Sequence, residues 1–173
     1  MPLILIGLRG SGKSTVGRAL AASMSRAFVD LDDRTAAICG MDAATCFATQ
    51  GESAWRDAEI DALRVAIADP SPSVLALGGG TPMAPSADAM LETAKRERDA
   101  TIYWLDAPPE VLVEWIGDDP NRPPLTDLDP LAEMVAIDTV RRPVFTRLAD
   151  HVIDVRDRST EDVVAAIRAS FDG

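Results

Sequence analysis

Lysine is almost missing from this chain. Of 17 basic residues only Lys13 and Lys95 are lysines, and the others are arginines. Against them stand 28 acidic residues, for a net charge of −11. That balance argues against nucleic acid or an anionic membrane as partner, since both call for a basic footprint. Histidine occurs once, as His151, which excludes multi-histidine metal sites. Cys39 and Cys46 stand seven apart with no CxxC, so neither a disulfide framework nor a zinc site is indicated. No apolar run approaches the roughly 18 residues of a membrane span. The apolar start, Pro2 to Ile6, is too short for a signal-peptide core and follows no basic region. The expected compartment is the cytoplasm. A length of 173 residues suits one domain, 1–173, able to bury a core without disulfides or structural metals. The sequence shows no apolar surface stripe, and the expected state is a monomer.

What the chain does have is an alternation of strand and helix patterns. Leu3–Ile6 is a short continuous apolar run, the mark of a strand buried on both faces. A glycine-rich turn follows, then a helix over about Lys13–Ser25. Ala27–Val29 reads as a strand, with helical stretches near Asp32–Ile38 and Ala43–Ala68, the second broken near Gly51. Val74–Leu77 reads as a third strand and runs into three glycines. A helix near Ala87–Arg98, a strand at Thr101–Leu105 and a helix opened by Pro108 and Pro109 come next. The stretch 117–130 holds four prolines and several aspartates and reads as a surface loop. A helix near Leu131–Leu148, a strand at Val152–Val155 and a last helix from Thr160 complete the pattern. The expected fold class is α/β, a three-layer domain around a five-stranded, mainly parallel sheet.

Gly7-Leu8-Arg9-Gly10-Ser11-Gly12-Lys13-Ser14 fits G-x-x-x-x-G-K-[ST] at every fixed position. Glycines let successive backbone N–H groups converge on phosphate oxygens, and the helix starting at Lys13 aims its positive end at the same anion. Gly10, Ser11, Gly12, Lys13, Ser14 and Thr15 are thus candidate nucleotide contacts. Lys13 is aimed at the β- and γ-phosphates, and the Ser14 hydroxyl is a ligand for Mg²⁺. The ligand this loop implies is a nucleoside triphosphate, with ATP first.

Acceptor-side candidates lie further along. Asp30 and Asp32 close the second strand, where ligands bind in open α/β sheets. Two apart on an extended segment, they face one way, one toward magnesium and the other toward a substrate hydroxyl. Asp33 reads instead as a solvated helix start. Arg56 sits beside Trp55, with Glu59 one turn on to hold its guanidinium, although such a pair by itself is more often a surface salt bridge. Gly78, Gly79 and Gly80 follow a buried strand and suggest a close backbone approach to a ligand. Arg122, among prolines in the 117–130 loop, suits a lid that covers phosphates and neutralises transition-state charge. Pro143 interrupts a helix and is expected to turn Arg141 or Arg142 inward.

Taken together, these motifs resemble the shikimate kinases, small members of the nucleoside-monophosphate-kinase-like group with a mobile lid. The resemblance rests on six pieces in order. They are the phosphate loop, D-x-D at Asp30 and Asp32, G-E-x-x-[FW]-R ending at Arg56, the triple glycine, R-P at Arg122, and R-x-P at Arg141. It implies ATP-dependent phosphorylation of the 3-hydroxyl of shikimate, with Mg²⁺, on the route to chorismate and the aromatic amino acids. Residue by residue it assigns phosphate to Lys13, magnesium to Ser14 and Asp30, and the shikimate hydroxyls to Asp32. It gives the shikimate carboxylate to Arg56 and Arg141, substrate lining to Gly78–Gly80, and the ATP phosphates to Arg122. Departures are visible too. Thr35-Ala36 stand where the family has Ile-Glu, the lid has an extra proline at Pro124, and Phe145 replaces a tyrosine. No arginine stands near Trp115 to stack on adenine, and Arg158 in the last strand-to-helix turn is the substitute candidate. The alternatives are another small-molecule kinase of gluconate type and a catalytically weak shikimate- or ATP-binding regulator. A guanine-nucleotide switch lacks its N-K-x-D motif.

Overall fold

Five strands and eight α-helices alternate along residues 1–71, 73–117, 126 and 128–171, the part of the chain that the computed structural model describes. In order they are β1 (Leu3–Ile6), α1 (Lys13–Ser23), β2 (Ala27–Asp30), α2 (Leu31–Cys39), α3 (Ala43–Thr49), α4 (Glu52–Ala68) and β3 (Ser73–Ala76). A 3₁₀ turn at Thr81–Met83 follows, then α5 (Ala87–Arg98), β4 (Thr101–Asp106), α6 (Pro109–Ile116), α7 (Pro130–Leu148), β5 (His151–Asp154) and α8 (Thr160–Phe171). The sheet runs β2-β3-β1-β4-β5, and all four pairings are parallel. The expected fold class therefore holds, with the sheet wholly parallel.

Burial explains why the inner strands read so clearly. Every residue of β1 and β3 is buried, although side chains alternate between faces, so helices cover both sides. The edge strands differ. β5 alternates half-buried and exposed residues, and β2 is half-covered. Because the strands are parallel, their C-terminal ends share one edge of the sheet. The segments after β1, β2, β3 and β5 therefore emerge on the same rim, which brings residues 7–14, 30–32, 78–80 and 158 to one side of the molecule.

One local detail departs from the pattern that the sequence predicts. Asp30 and Asp32 do not share an extended segment, because α2 already begins at Leu31. Asp30 is its N-cap, accepting a hydrogen bond from the Asp32 N–H at 3.2 Å, and Asp32 lies in the first turn. Pro143 lies inside α7, which runs from Pro130 to Leu148, close to the span that the sequence pattern predicts. The break at Gly51 is where expected: Gly51, at φ +86°, caps α4. Cys39 and Cys46 bring their sulfurs to 4.0 Å as free thiols. Among the described residues no helix is long and apolar enough to cross a membrane. Lys95, the second lysine, donates to the Leu148 carbonyl at 3.0 Å and pairs with Asp150 at 2.8 Å, so its work is to tie α5 to the end of α7.

Candidate active site

The loop between β1 and α1 is shaped around an anion. Gly12 caps α1 at φ +84°, a left-handed conformation that glycine takes freely. The Lys13 ammonium is buried and folded back over the loop, donating to the carbonyls of Gly7 at 2.9 Å and Leu8 at 2.7 Å. The charge is held at the centre of the loop by carbonyls that a phosphate oxygen can displace. Ser14 and Thr15 are exposed on the first turn of α1. The Ser14 hydroxyl donates to Asp30 Oδ2 at 2.7 Å, which joins the two expected magnesium ligands across the rim.

Beside the loop opens a cavity of about 600 Å³ whose walls include Arg9, Asp32, Arg56, Arg141 and the three glycines. Its two cationic residues from the sequence reading are held very differently. Arg56 is pinned on both sides: its Nη1 meets Glu59 Oε2 at 2.7 Å, and its Nε and Nη2 both reach Glu52 Oε1, at 3.2 and 2.9 Å. Glu59 is only 1% exposed and takes a further bond from the Thr81 hydroxyl at 2.6 Å. This pair is thus buried architecture, not the surface salt bridge that spacing alone favours. Arg141, in contrast, makes one hydrogen bond among the described residues, from Nη1 to the Gly79 carbonyl at 2.8 Å. Burial and the nearby charges of Arg56 and Arg9 push its guanidinium below its ordinary value, while Glu59 and Glu52 partly oppose them. An anion placed between Arg56 and Arg141 relieves that crowding.

Proline 143 left open which of two arginines turns to the site. Arg141 does. Arg142 points elsewhere, bonded to Asp106 at 3.0 and 3.1 Å and to Asp138 at 2.8 Å, with its guanidinium over Trp104.

Asp32 shares the cavity with the arginines. It is exposed at the cavity rim, yet the neighbouring protein strips much of the water from its carboxyl group. Loss of water, helped by the charges of Asp30 and Glu59, raises its pKa from 3.8 to about 6, against the opposing pull of Lys13 and Arg56. The glycines make room for these groups. A Cβ on Gly78 meets Asp32 Oδ1 at 2.5 Å and Glu59 Oε1 at 2.9 Å, and one on Gly80 meets Arg56 Nη2 at 2.8 Å. The close approach inferred from the triple glycine is thus first of all an approach to the side chains that build the cavity.

Other expected site residues stand apart from this cluster. Arg158 is exposed in the turn between β5 and α8, on the same rim as the phosphate loop. Arg122 and most of the 117–130 loop lie outside the described residues. Three participants escaped the sequence reading. Arg9 occupies a variable position of the loop motif, and Thr81 follows the triple glycine without any motif of its own. Glu133 lies in the first turn of α7, where it is 2% exposed and holds Arg9 at 2.9 Å. No local pattern marks any of them.

The family model for shikimate kinase matches residues 9–171. The chain belongs to the shikimate kinase family. A shikimate kinase of Symbiobacterium thermophilum is 38% identical over 172 residues, covering 96% of this chain and 94% of that protein. A shikimate kinase of Neisseria gonorrhoeae is 36% identical over 88% of this chain and 86% of its own length. Among solved structures, shikimate kinase from Acinetobacter baumannii in complex with shikimate superposes at a TM-score of 0.90. It shows 26% identity and covers 98% of this chain and 92% of that one. The Aquifex aeolicus shikimate kinase superposes at 0.83, with 29% identity over 100% and 97% of the two chains. The activity is accordingly that of a shikimate kinase, a phosphotransferase of aromatic amino acid biosynthesis that uses ATP. Membership decides against a gluconate-type acceptor, which the charges alone left open.

Proposed function

We propose that the cavity beside the phosphate loop is the shikimate site, and that the transfer to the 3-hydroxyl is carried by the residues lining the shared rim. The observation that carries this reading is one cavity lined by Asp32, Arg56 and Arg141, with Lys13 near enough for its charge to act on Asp32. A small hydroxylated acid needs a cationic clamp at one end and a hydroxyl acceptor at the other. Arginine suits the clamp because its planar fork meets a carboxylate bidentately. Asp32 takes the hydroxyls and orients the attacking oxygen. A carboxyl near 6 is close enough to neutrality to accept the departing proton as well. Gly78, Gly79 and Gly80 line the substrate. Gly10, Ser11, Gly12, Ser14 and Thr15 cradle the ATP phosphates with backbone and hydroxyl groups, Lys13 meets the β- and γ-oxygens, Arg122 covers them as a lid residue, and Arg158 serves the adenine.

Ser14 and Asp30 suit magnesium, since both offer hard oxygen donors within 2.7 Å of each other. Magnesium ordinarily takes few protein ligands and completes its shell with water and phosphate oxygens. When bound it neutralises phosphoryl charge. The remaining work is positioning and charge complementarity by the chain itself. The whole chain, 1–173, serves as one domain, acting as a monomer.

The test is ADP release measured with and without shikimate, and with gluconate in its place. ADP formation indifferent to shikimate rejects the site assignment. Lys13→Ala and Arg122→Ala are expected to lower turnover by roughly 10³-fold or more, the scale of losing a phosphate-stabilising cation. Near-normal turnover in either removes that residue from the mechanism.

A further inference from the structure

Arg9 belongs to two places at once. Its backbone is part of the phosphate loop, and its side chain lines the acceptor cavity, where its charge is felt by Arg141. Gly79 lies between the two: a Cβ there falls 3.2 Å from the Arg9 backbone nitrogen and 3.3 Å from Arg141 Nη1. An arginine side chain at such a seam has many rotamers, and its charge helps a bound acceptor only if it is held. Glu133 holds it. One carboxylate oxygen, Oε1, accepts from Arg9 Nη2 at 2.9 Å, and the other, Oε2, accepts from the Thr126 N–H at 2.6 Å and its hydroxyl at 2.9 Å. The carboxylate is almost completely withdrawn from solvent. A buried charge pair of this kind adds little net stability compared with apolar packing, and its best-attested use is to fix geometry. The same helix, α7, carries Arg141 two turns further on, so one rigid element sets the positions of two of the three cations around the cavity.

We propose that Glu133 is a positioning residue for the kinase reaction, acting through Arg9, which it fixes as a third cation between the phosphate loop and the acceptor site. This rests on the assignment of the cavity to shikimate. Wild-type ADP release that depends on shikimate tests that assignment, and the variants below test the proposal.

The experiment is a double-mutant cycle on the full chain, read as KM for shikimate and kcat separately, with thermal melting alongside. Arg9→Met and Glu133→Gln are each expected to raise KM for shikimate about tenfold, the scale of one charge-assisted contact, with a smaller effect on kcat. Because Glu133 acts through Arg9, adding Glu133→Gln to Arg9→Met is expected to change KM no further. Glu133→Asp is expected to recover part of the loss, and Thr126→Val, at an exposed position, to shift KM in the same direction by a smaller factor. Multiplying effects in the double variant, or a wild-type KM in Arg9→Met, overturn the proposal. So does a KM that follows melting temperature across the set, which marks a merely structural role. Should Glu133→Gln not fold, Arg9→Met combined with Glu133→Met leaves no buried unpaired charge. A raised KM with normal melting in that variant supports the proposal, and a wild-type KM overturns it.

Discussion

Arg56 and Arg141 are assigned the same work, yet the structure predicts unequal consequences for stability when each is removed. Arg56→Met takes the 2.7 Å partner from Glu59, a carboxylate only 1% exposed. Thr81 still donates to Glu59 at 2.6 Å, but a hydroxyl does not neutralise a charge. Breaking a buried pair from one side costs about 3–5 kcal/mol, and the surviving Thr81 bond places the expected loss near the lower end, about 3 kcal/mol. For a domain of this size that lowers the melting temperature by roughly 6–12 °C. Arg141→Met loses one bond to the Gly79 carbonyl, worth about 0.5–1.5 kcal/mol. It also removes the repulsion among Arg141, Arg56 and Arg9 that pushes the Arg141 guanidinium below its usual value. The two effects oppose, and the expected change in stability is within about 1 kcal/mol of zero. Both variants are expected to weaken shikimate binding by about 2–5 kcal/mol if the carboxylate is desolvated between the two forks. Differential scanning calorimetry without ligand and titration calorimetry with shikimate separate the two readouts. Equal destabilisation by both variants refutes the view that Arg141 is held open for a ligand. Unchanged shikimate affinity in both removes the clamp.

Asp32 supplies a pH-dependent prediction. Its carboxyl titrates at about 6 in the folded chain and at 3.8 in the unfolded one, so between those values the folded state holds the extra proton. Stability from this group is therefore fully present below about pH 4 and is lost as pH rises toward 6. A fully enclosed group with that difference carries about 3 kcal/mol, and the open side of Asp32 scales this to about 1 kcal/mol. Asp32→Asn, melted without magnesium or nucleotide, is expected to gain roughly 2–4 °C at pH 7.5 and nothing at pH 4, while losing turnover. A lower melting temperature at pH 7.5 contradicts the burial argument. For the wild type, kcat/KM is expected to fall below an apparent pKa near 6 as Asp32 takes up its proton, and a profile flat from pH 5 to 8 excludes that role. Gly78→Ala drives a methyl group to 2.5 Å from Asp32 Oδ1 and 2.9 Å from Glu59 Oε1. It is expected to cost about 1–3 kcal/mol in stability and to lower kcat/KM for shikimate, and wild-type kinetics with wild-type melting refute the crowding.

The phosphate loop was legible in the sequence because its chemistry is local. Eight consecutive residues, a strand before and a helix after, suffice to converge N–H groups on a phosphate. The inner strands were legible because burial on both faces forces continuous apolar runs, as in Leu3–Ile6. The acceptor residues were legible through family motifs, each a short pattern with a fixed offset. Helix starts were less so: α2 begins at Leu31, where Asp30 caps it, because capping is settled by one side-chain bond that two neighbouring aspartates could equally have made.

Tertiary structure decided what depends on contacts between distant segments. Arg141 and Arg142 are adjacent and chemically identical, and one faces Gly79 while the other faces Asp106 because helical rotation separates them by about 100°. Glu59 became buried architecture because Thr81, 22 residues away, closes over it. Arg9 and Glu133 are 124 positions apart and meet only because β1 and α7 bring their ends to the same rim. The excess of acidic residues argued against polyanionic partners, and the scarcity of lysine left a single loop lysine where a compact ammonium is wanted. The sequence alone did not reveal that three arginines from three separate elements surround one cavity, because the charge of a site is a sum over segments that only folding assembles.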